Sequence, residues 1–422
     1  MRPIIKYVIL FLITILLANC GAREFFGFEE KKIPLPGKRF SILKSGINDI
    51  EDIRSDSDVL ISNKIENINW EQTYNSPTHL SINFSTTSEY KKFSRIISGS
   101  AEDKESKILA QPVIQNNNIY FIDAKSKIIS YNLIEKKINW KKKLFPKDEN
   151  NHNLGGGIAL DKDKIFYNSP YGKIIALNNG DGSLIWEKEV SSPLRSAPTI
   201  IENRVLSLTI DNRLLVMNAE NGDLFWEHEG IFNNTSIIRS PKVAVDQNIL
   251  VVPYSNGEYY GLNLSNGSEL WKGNVVDIEK TKTTNTFNDI DANPVFVNNS
   301  VIIASVNSKI ISLDKRNGSK NWARDFNTSQ TPLINGNSIF LINNNKEVIN
   351  LDINSGKIRW ITKIDESLSL FYENVWFSPI MVNDKLLLVG GDERMMILNP
   401  FDGKIELIKK LPNLPACSPF VA

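Results

Sequence analysis

Ile174-Ile175-Ala176-Leu177-Asn178, followed by Asp181-Gly182 and then by Trp186, is the stretch that decides the fold. An aliphatic run of this length is typical of a β-strand. Asp-Gly is a strong hairpin signal, because a type I′ turn needs positive φ at both central residues. The stretch therefore predicts two antiparallel strands joined by a tight two-residue turn, with a tryptophan on the second strand.

The same phrase recurs along the chain. A glycine stands four residues before a tryptophan in four further copies: Gly222 and Trp226, Gly267 and Trp271, Gly318 and Trp322, Gly356 and Trp360. A degenerate copy of the repeat around Trp140 precedes them, and another, with Leu407 at the tryptophan position, follows them. Successive anchors lie 38–51 residues apart. This period, built from short strands, indicates the blades of a β-propeller.

Each repeat holds four strands, and the first usually opens on a proline, which is tolerated there because its missing N–H falls outside the ladder. We therefore predict an all-β chain forming a single β-propeller of four-stranded blades. Eight blades are expected, seven of them complete in the sequence. The eighth would take an inner strand from Ser418-Pro419-Phe420-Val421-Ala422 and an outer strand around Trp70. Its two remaining strands are missing, so either the chain is truncated or Asp58–Ser62 fills the gap; a seven-bladed ring is the alternative.

The N-terminus predicts export and lipid attachment. Residues 1–19 have the basic start and short apolar stretch of a signal peptide. They lead into Leu17-Ala18-Asn19-Cys20-Gly21, which resembles a bacterial lipobox, so Cys20 is the predicted lipidation site. Glycine after that cysteine resembles a signal for outer-membrane delivery. Residues 20–65 are charged and aperiodic and predict a lipid-anchored flexible tether, and residues 66–422 form the propeller.

Composition excludes several functions. The formal net charge is +1 and the pI is about 7.6, which gives no electrostatic reason to expect a nucleic-acid partner. The two cysteines cannot build a disulfide framework, and the three histidines share no ligand spacing. We therefore predict no metal site, no cofactor and no catalytic residue.

The repeated tryptophans are expected to pack between blades, since each occupies the same place in its repeat: Trp140, Trp186, Trp226, Trp271, Trp322 and Trp360. A glycan-binding propeller of the cell envelope is an alternative. That alternative would be favoured if Tyr259, Tyr260 and Trp376 formed an exposed aromatic rim, and weakened if they were buried.

Gly172 to Trp186 resembles the PQQ-type propeller repeat. Together with the lipobox, the tether and the repeat number, the whole chain resembles the BamB family of outer-membrane β-barrel assembly lipoproteins. The resemblance implies a non-enzymatic scaffold at the periplasmic face of the outer membrane of a Gram-negative bacterium. Its implied partners are the periplasmic domains of BamA and unfolded outer-membrane proteins, whose insertion it would assist.

Two loops carry the implied BamA contact. Pro193-Leu194-Arg195-Ser196-Ala197-Pro198 and Asn288-Asp289-Ile290-Asp291 resemble the family's partner-binding loops, which implies roles for Leu194, Arg195, Asp289 and Asp291. Both loops precede an inner strand and so lie on one rim. Arg195 beside two carboxylates would orient a partner by charge, with Leu194 as an apolar anchor.

A quinoprotein dehydrogenase is the other alternative, because such enzymes share the repeat. They use adjacent cysteines, a calcium site and a catalytic aspartate. Here Cys417 is the single cysteine left after lipidation of Cys20, so no vicinal pair forms.

Overall fold

The computed structural model describes residues 54–87, 90, 93, 95–97, 99–100, 108, 110–144, 155–194, 196–231, 241–275, 290–306, 309–364, 375–391, 393–413, 415 and 417–422. They belong to one compact unit, Glu51–Ala422. The predicted signal peptide 1–19, the lipidation site Cys20 and tether residues 20–53 lie outside the described residues.

The described residues confirm the predicted all-β propeller. They contain no α-helix and form seven sheets, six with four strands and one with six. Along each blade the strands pair antiparallel with their sequence neighbours, as the repeat predicts. Buried side chains on both faces of each sheet pack against the adjoining blades.

Two short strands and a 3₁₀ turn precede the blades: β1 (Lys64–Glu66), the turn Thr73–Asn75, and β2 (Asn83–Ser85). Blade one has β3 (Val113–Gln115), β4 (Asn118–Ile122), β5 (Lys127–Asn132) and β6 (Lys137–Lys143). Blade two has β7 (Gly157–Asp161), β8 (Lys164–Ser169), β9 (Lys173–Asn178) and β10 (Leu184–Glu189). Blade three has β11 (Thr199–Ile201), β12 (Arg204–Leu208), β13 (Arg213–Asn218) and β14 (Leu224–Glu229).

Blade four has β15 (Ala244–Asp246), β16 (Ile249–Pro253), β17 (Glu258–Asn263) and β18 (Glu269–Asn274). Blade five has β19 (Val295–Val297), β20 (Ser300–Ala304), β21 (Ile310–Asp314) and β22 (Lys320–Arg324). Blade six has β23 (Leu333–Asn335), β24 (Ser338–Ile342), β25 (Glu347–Asp352) and β26 (Ile358–Lys363). Blade seven has β27 (Ile380–Val382), β28 (Lys385–Gly390), β29 (Arg394–Leu398) and β30 (Ile405–Lys410), and its sheet also includes β1 and β2.

The turn before each tryptophan is longer than predicted. In blade two the Asn178 N–H donates to the Ser183 carbonyl and the Gly182 N–H to the Asn178 carbonyl, which encloses a four-residue loop. Gly182 has φ of 73°, whereas Asp181 is not among the residues with positive φ. The prediction of two-residue type I′ turns was therefore wrong here: glycine alone adopts the left-handed conformation, followed by a bulge in the next strand.

Each of the six tryptophans contacts the following blade. The Trp140 Nε1–H donates to the Asn179 carbonyl at 3.0 Å. A Cβ added to Gly182 would lie 2.8 Å from the Trp140 ring, so this turn requires glycine for space as well as for φ. The other five indoles donate in the same way to carbonyls of the next blade: Trp186 to Ala219, Trp226 to Leu264, Trp271 to Lys315, Trp322 to Ile353 and Trp360 to Pro400.

Residues 54–86 form a strap across the inner strands, which the sequence did not indicate. Its backbone bonds successive blades: Trp70 with Ile114, Glu71 with Leu160, Pro77 with Val245 and Thr78 with Phe296. The Gln72 side chain bonds the backbone of Ile200, and β2 pairs in parallel with β27. The strap therefore links blades that are far apart in sequence.

The start of the strap lies on blade six. The Leu60 and Ser62 N–H groups donate to Asn337 Oδ1 and Asn335 Oδ1, each at 2.8 Å. Asp58–Ser62 therefore does not fill the eighth blade, which corrects that possibility. Residues 54–65 of the predicted tether are in contact with the sheets.

The segments around Trp70 and Phe420 meet between blades seven and one. Trp70 is buried, and its ring lies 5.5 Å from that of Phe84 and 5.7 Å from that of Phe420. These rings pack between Ile380 of blade seven and Ile114 of blade one. The eighth position is thus filled by the two segments that the sequence placed there, which form no sheet of their own among the described residues.

Candidate functional site

A polar recess lies where the first strands of the blades begin. Its volume is about 110 Å³, and it is lined by residues from all eight strand openings. The residues that directly precede an opening proline line it together: Gln111, Ala197, Asn293, Thr331, Ser378 and Ser418. Thr73 and Tyr74 of the strap also line the recess. The eighth opening therefore takes its place in the ring with the other seven.

Hydrogen bonds tie neighbouring openings together around this recess. Asn168 Nδ2, on the second strand of blade two, donates to the Ser196 carbonyl at the opening of blade three, at 3.1 Å. Asn293 Oδ1 accepts from the Lys242 N–H at 2.7 Å, and the Asn293 N–H donates to Thr331 Oγ1 at 3.0 Å. Because the bonding groups are buried or half-buried, these contacts fix the strand openings and the loops that lead into them.

A neutral histidine fastens the strap to the opening of blade five. His79 is buried, and its Nδ1 lies 2.8 Å from the Pro294 carbonyl oxygen. Since a carbonyl only accepts, Nδ1 carries the proton. Burial lowers the pKa of His79 to about 3, and the Lys242 charge acts in the same direction. The residue is therefore a structural contact of the strap, uncharged at neutral pH.

Leu194 is not the exposed apolar anchor that the sequence suggested. Its side chain has no exposed surface and packs with Phe166, Ile174 and Ile200 in the core between blades two and three. Its N–H also donates to the Ser169 carbonyl. Leu194 therefore anchors the loop to the core. Because it is buried between two blades, its side chain is not accessible to a partner.

Of the polar residues in the two predicted loops, some line the recess and others lie outside the described residues. Asp291 is half-buried and lines the recess, as does Ser196 of the other loop. Arg195 and Asp289 lie outside the described residues. Ile290, between the two aspartates, is fully buried in the core of blades four and five, as Leu194 is in its own loop. The structure thus brings the described ends of both loops to one recess.

Tyr259, Tyr260 and Trp376 do not form the exposed aromatic rim that glycan binding would require. Tyr259, Tyr260 and Trp376 retain 7%, 8% and 3% of their surface. Trp376 also lies under the Arg394 guanidinium, 5.4 Å from the ring centre. None of the three offers a sugar a free stacking face, so the glycan alternative loses its basis.

The described residues contain neither a membrane-spanning helix nor a metal-binding cluster. No helix there is long and apolar enough to cross a bilayer. No group of three or more His, Cys, Asp or Glu side chains there is arranged to hold a metal ion.

The repeats, the indole contacts and the ring of strand openings define a tryptophan-anchored β-propeller. Residues 140–362 match the model of the family described as outer membrane protein assembly factor BamB. The match covers more than half of the 422 residues, and the chain belongs to this family.

Curated relatives match this chain at low identity. An uncharacterized protein of Rickettsia conorii is 29% identical over 222 residues, which are 51% of this chain and 53% of the relative. The outer membrane protein assembly factor BamB of Yersinia pestis is 24% identical over 220 residues, 51% of this chain and 56% of the relative. The chain thus spans about half the length of the curated relatives it matches.

Solved structures share the fold. BamB from Moraxella catarrhalis aligns with a TM-score of 0.63 and 16% identity, over 75% of this chain and 92% of that one. A europium-containing methanol dehydrogenase aligns with a TM-score of 0.65 and 12% identity, over 83% and 86% of the two chains. At such identities the likeness shows architecture alone, so the dehydrogenase match gives the quinoprotein alternative only weak support.

Proposed function

We propose that this chain is a non-enzymatic scaffold of the outer-membrane β-barrel assembly complex. It binds the periplasmic domains of BamA through the rim of the recess and assists the insertion of outer-membrane proteins. Membership of the BamB family supports a role in the assembly of outer-membrane proteins. The contact itself is inferred from the two rim loops.

The observation that carries this proposal is the way both loops are held. Leu194 directly precedes Arg195, and Ile290 directly follows Asp289, and both apolar side chains are fully buried. A buried neighbour restrains the backbone of the polar residue beside it, which lowers the entropy lost on binding. Ser196 and Asp291 line the same recess, so one partner surface can reach both loops.

The charges on this rim would favour one orientation of a bound partner. Arg195 on one loop and Asp289 and Asp291 on the other would present a cation and two carboxylates to the partner. Such an arrangement favours one orientation of a partner with complementary charges and disfavours the reverse, because like charges would meet.

The proposal also places the chain at the periplasmic face of the outer membrane, anchored through lipid on Cys20. Thirty-three residues separate Cys20 from the start of the described strap at Arg54. Fully extended, a segment of that length spans at most about 110–120 Å. The rim can then meet a partner domain well away from the bilayer surface.

Pull-down of the full-length chain with the periplasmic domains of BamA tests the proposal. Arg195→Glu and Asp289→Arg should each weaken binding at least about tenfold, because loss of a desolvated charge pair costs about 2–5 kcal/mol. Lys320→Glu is the matched control: Lys320 is an exposed cation at the start of β22, and its reversal should leave binding unchanged. Wild-type protein that fails to bind would refute the scaffold function, and binding by both rim variants would refute the assigned surface.

A further inference from the structure

One repeat position is exposed in most blades and buried in one. The residue two places before the anchor is apolar in five blades. Its exposed fraction is 40% for Ile138, 53% for Leu184, 51% for Leu224 and 38% for Ile405, but 3% for Ile358 of blade six. Since the repeat is the same, the difference comes from what lies against the outer strand.

In blade six the strap covers this edge. Arg54 pairs in parallel with Ile358, and the Ser55 N–H donates to the Ile358 carbonyl at 2.8 Å. Next to it, Arg359 bonds Ser57 through the carbonyl and the hydroxyl. An outer strand of this propeller therefore accepts an extended segment, which pairs with its backbone and buries its apolar side chain.

Blades two and three present the same edge without a cover. The pairs Leu184-Ile185 and Leu224-Phe225 are all 40–53% exposed, and they stand at the start of two adjacent outer strands. Unpaired edge strands with apolar side chains are sites of strand addition. The two blades thus expose apolar pairs on neighbouring outer strands, and no described strand pairs with either edge; the Arg204 guanidinium lies 5.7 Å from the centre of the Phe225 ring.

A groove lies between the end of β10 and blade three. Its volume is about 360 Å³, and Leu215, Met217 and Leu224 line it together with Lys188 and Arg213. Leu215 and Met217 are themselves 5% and 4% exposed, so they form an apolar floor. Both lining cations have carboxylates nearby, Lys188 with Asp223 at 3.3 Å and Arg213 with Glu227 at 3.8 Å.

We propose that the outer edge of β10 and this groove bind an extended polypeptide segment with apolar residues at alternate positions. Such a segment supplies backbone N–H and C=O groups to the edge and, with period two, apolar side chains to the groove. Its polar side chains meet groups of both charges, because each lining cation has a carboxylate beside it. A helix has no free backbone groups along its length, and a folded domain offers at most its own edge strands, whereas an extended segment offers backbone groups along its whole length.

This alternation is the pattern of membrane-spanning β-strands before they are inserted. The identity of the segment as part of an unfolded outer-membrane protein rests on the proposed function. The binding mode does not, because it follows from the edge, the groove and the covered counterpart in blade six.

The test measures anisotropy of a fluorescent peptide of about ten residues, apolar at alternate positions, with the full-length chain. The same peptide with alternate backbone nitrogens methylated has lost its edge-pairing donors and should bind about tenfold more weakly. Leu224→Lys should weaken binding of the unmodified peptide about tenfold. Ile138→Lys, at the same repeat position in blade one, should change it less than about twofold.

Three results would overturn the proposal: equal binding of the methylated peptide, equal loss in Ile138→Lys and Leu224→Lys, or self-association of the chain that Leu184→Lys abolishes while the peptide does not bind. The BamA pull-down is read separately. Leu224→Lys should retain BamA, and Arg195→Glu should retain the peptide, so failure of one proposal leaves the other measurable.

Discussion

Blade six and blade two are built from the same repeat, yet one outer edge is covered and the other is open. Their anchors, Trp360 and Trp186, donate identically to the next blade, at 2.9 and 3.0 Å. Ile358 is nevertheless buried by the strap, whereas Leu184 at the equivalent position is half exposed. The repeat therefore determines the structure of each blade, whereas a segment distant in sequence determines which outer edge remains free for a partner.

The cover on blade six is fastened by one arginine. Arg359 has 3% of its side chain exposed and lies 2.7 Å from Asp352, and it also bonds Ser57, Asn337 and Ser338. Burial lowers the pKa of Arg359. Burial alone would raise the pKa of Asp352, but hydrogen bonds from Ser355 and Ser57 and the Arg359 charge hold it below its usual range. The pair is therefore charged at neutral pH.

Arg359→Ala should have the largest effect and would break the comparison by opening the blade-six edge. Removing one member of a buried ion pair leaves the Asp352 carboxylate without its counter-charge, which costs about 3–5 kcal/mol. The free energy of unfolding in urea measures this loss. Limited proteolysis should at the same time cut the strap near Ser57 faster than in the wild type.

Arg316→Ala is the control for that change. Arg316 also pairs with an aspartate, Asp314 at 2.6 Å, but 69% of its side chain is exposed. Exposed pairs contribute little to stability because solvent screens their charges, so this variant should unfold nearly as the wild type does. Equal destabilisation by both variants would show that burial of the Arg359 pair does not fasten the strap.

Truncating the matched apolar residues sharpens the comparison directly. Ile358→Ala should lower the free energy of unfolding by about 2–4 kcal/mol, because it removes buried methyl groups between the strap and the sheet. Leu184→Ala, at the equivalent position of blade two, should change it by less than about 0.5 kcal/mol, since the side chain is half exposed. Chemical denaturation measures both, and equal costs would mean that the strap does not bury Ile358 in solution.

The sequence predicted the blades because their information is local. Strand, turn, glycine and tryptophan lie within about fifteen residues of one another and recur, so the period alone assigned the propeller. The predicted turn type was wrong, because Asp-Gly is compatible both with a two-residue turn and with a longer loop that has one left-handed glycine. Register bulges before the tryptophan reveal the difference only in three dimensions.

The strap and the site were beyond sequence reasoning for a different physical reason. Ser57 and Arg359 are 302 residues apart, and Leu60 and Asn337 are 277 apart. No periodicity connects such partners, and the strap bonds mostly through backbone groups that every residue carries. Leu194 was misjudged similarly: a leucine in a loop looks available, and only the packing of blades two and three shows that it is core.

Acid should loosen the strap where it contacts Pro294 of blade five, through His79. The folded protein holds this imidazole neutral with a pKa of about 3, whereas an unfolded chain has a pKa of 6.5. The unfolded state therefore binds more protons below pH 6.5, so this contribution to stability is complete above that pH and is lost as pH falls toward 3. At pH 5 the loss should reach about 2 kcal/mol.

His79→Asn tests this contribution, because asparagine tolerates the left-handed φ of 59° and retains a donor for the Pro294 carbonyl. Unfolding in urea at pH 8 and pH 5 should show a smaller acid loss in the variant than in the wild type, by about 2 kcal/mol. His228→Asn is the matched control: burial lowers the pKa of His228 too, but this side chain is only half-buried beside Tyr254, so its removal should reduce the acid loss less. An acid loss unchanged by His79→Asn would mean that the strap leaves its place, and exposes His79 to water, well before the propeller unfolds.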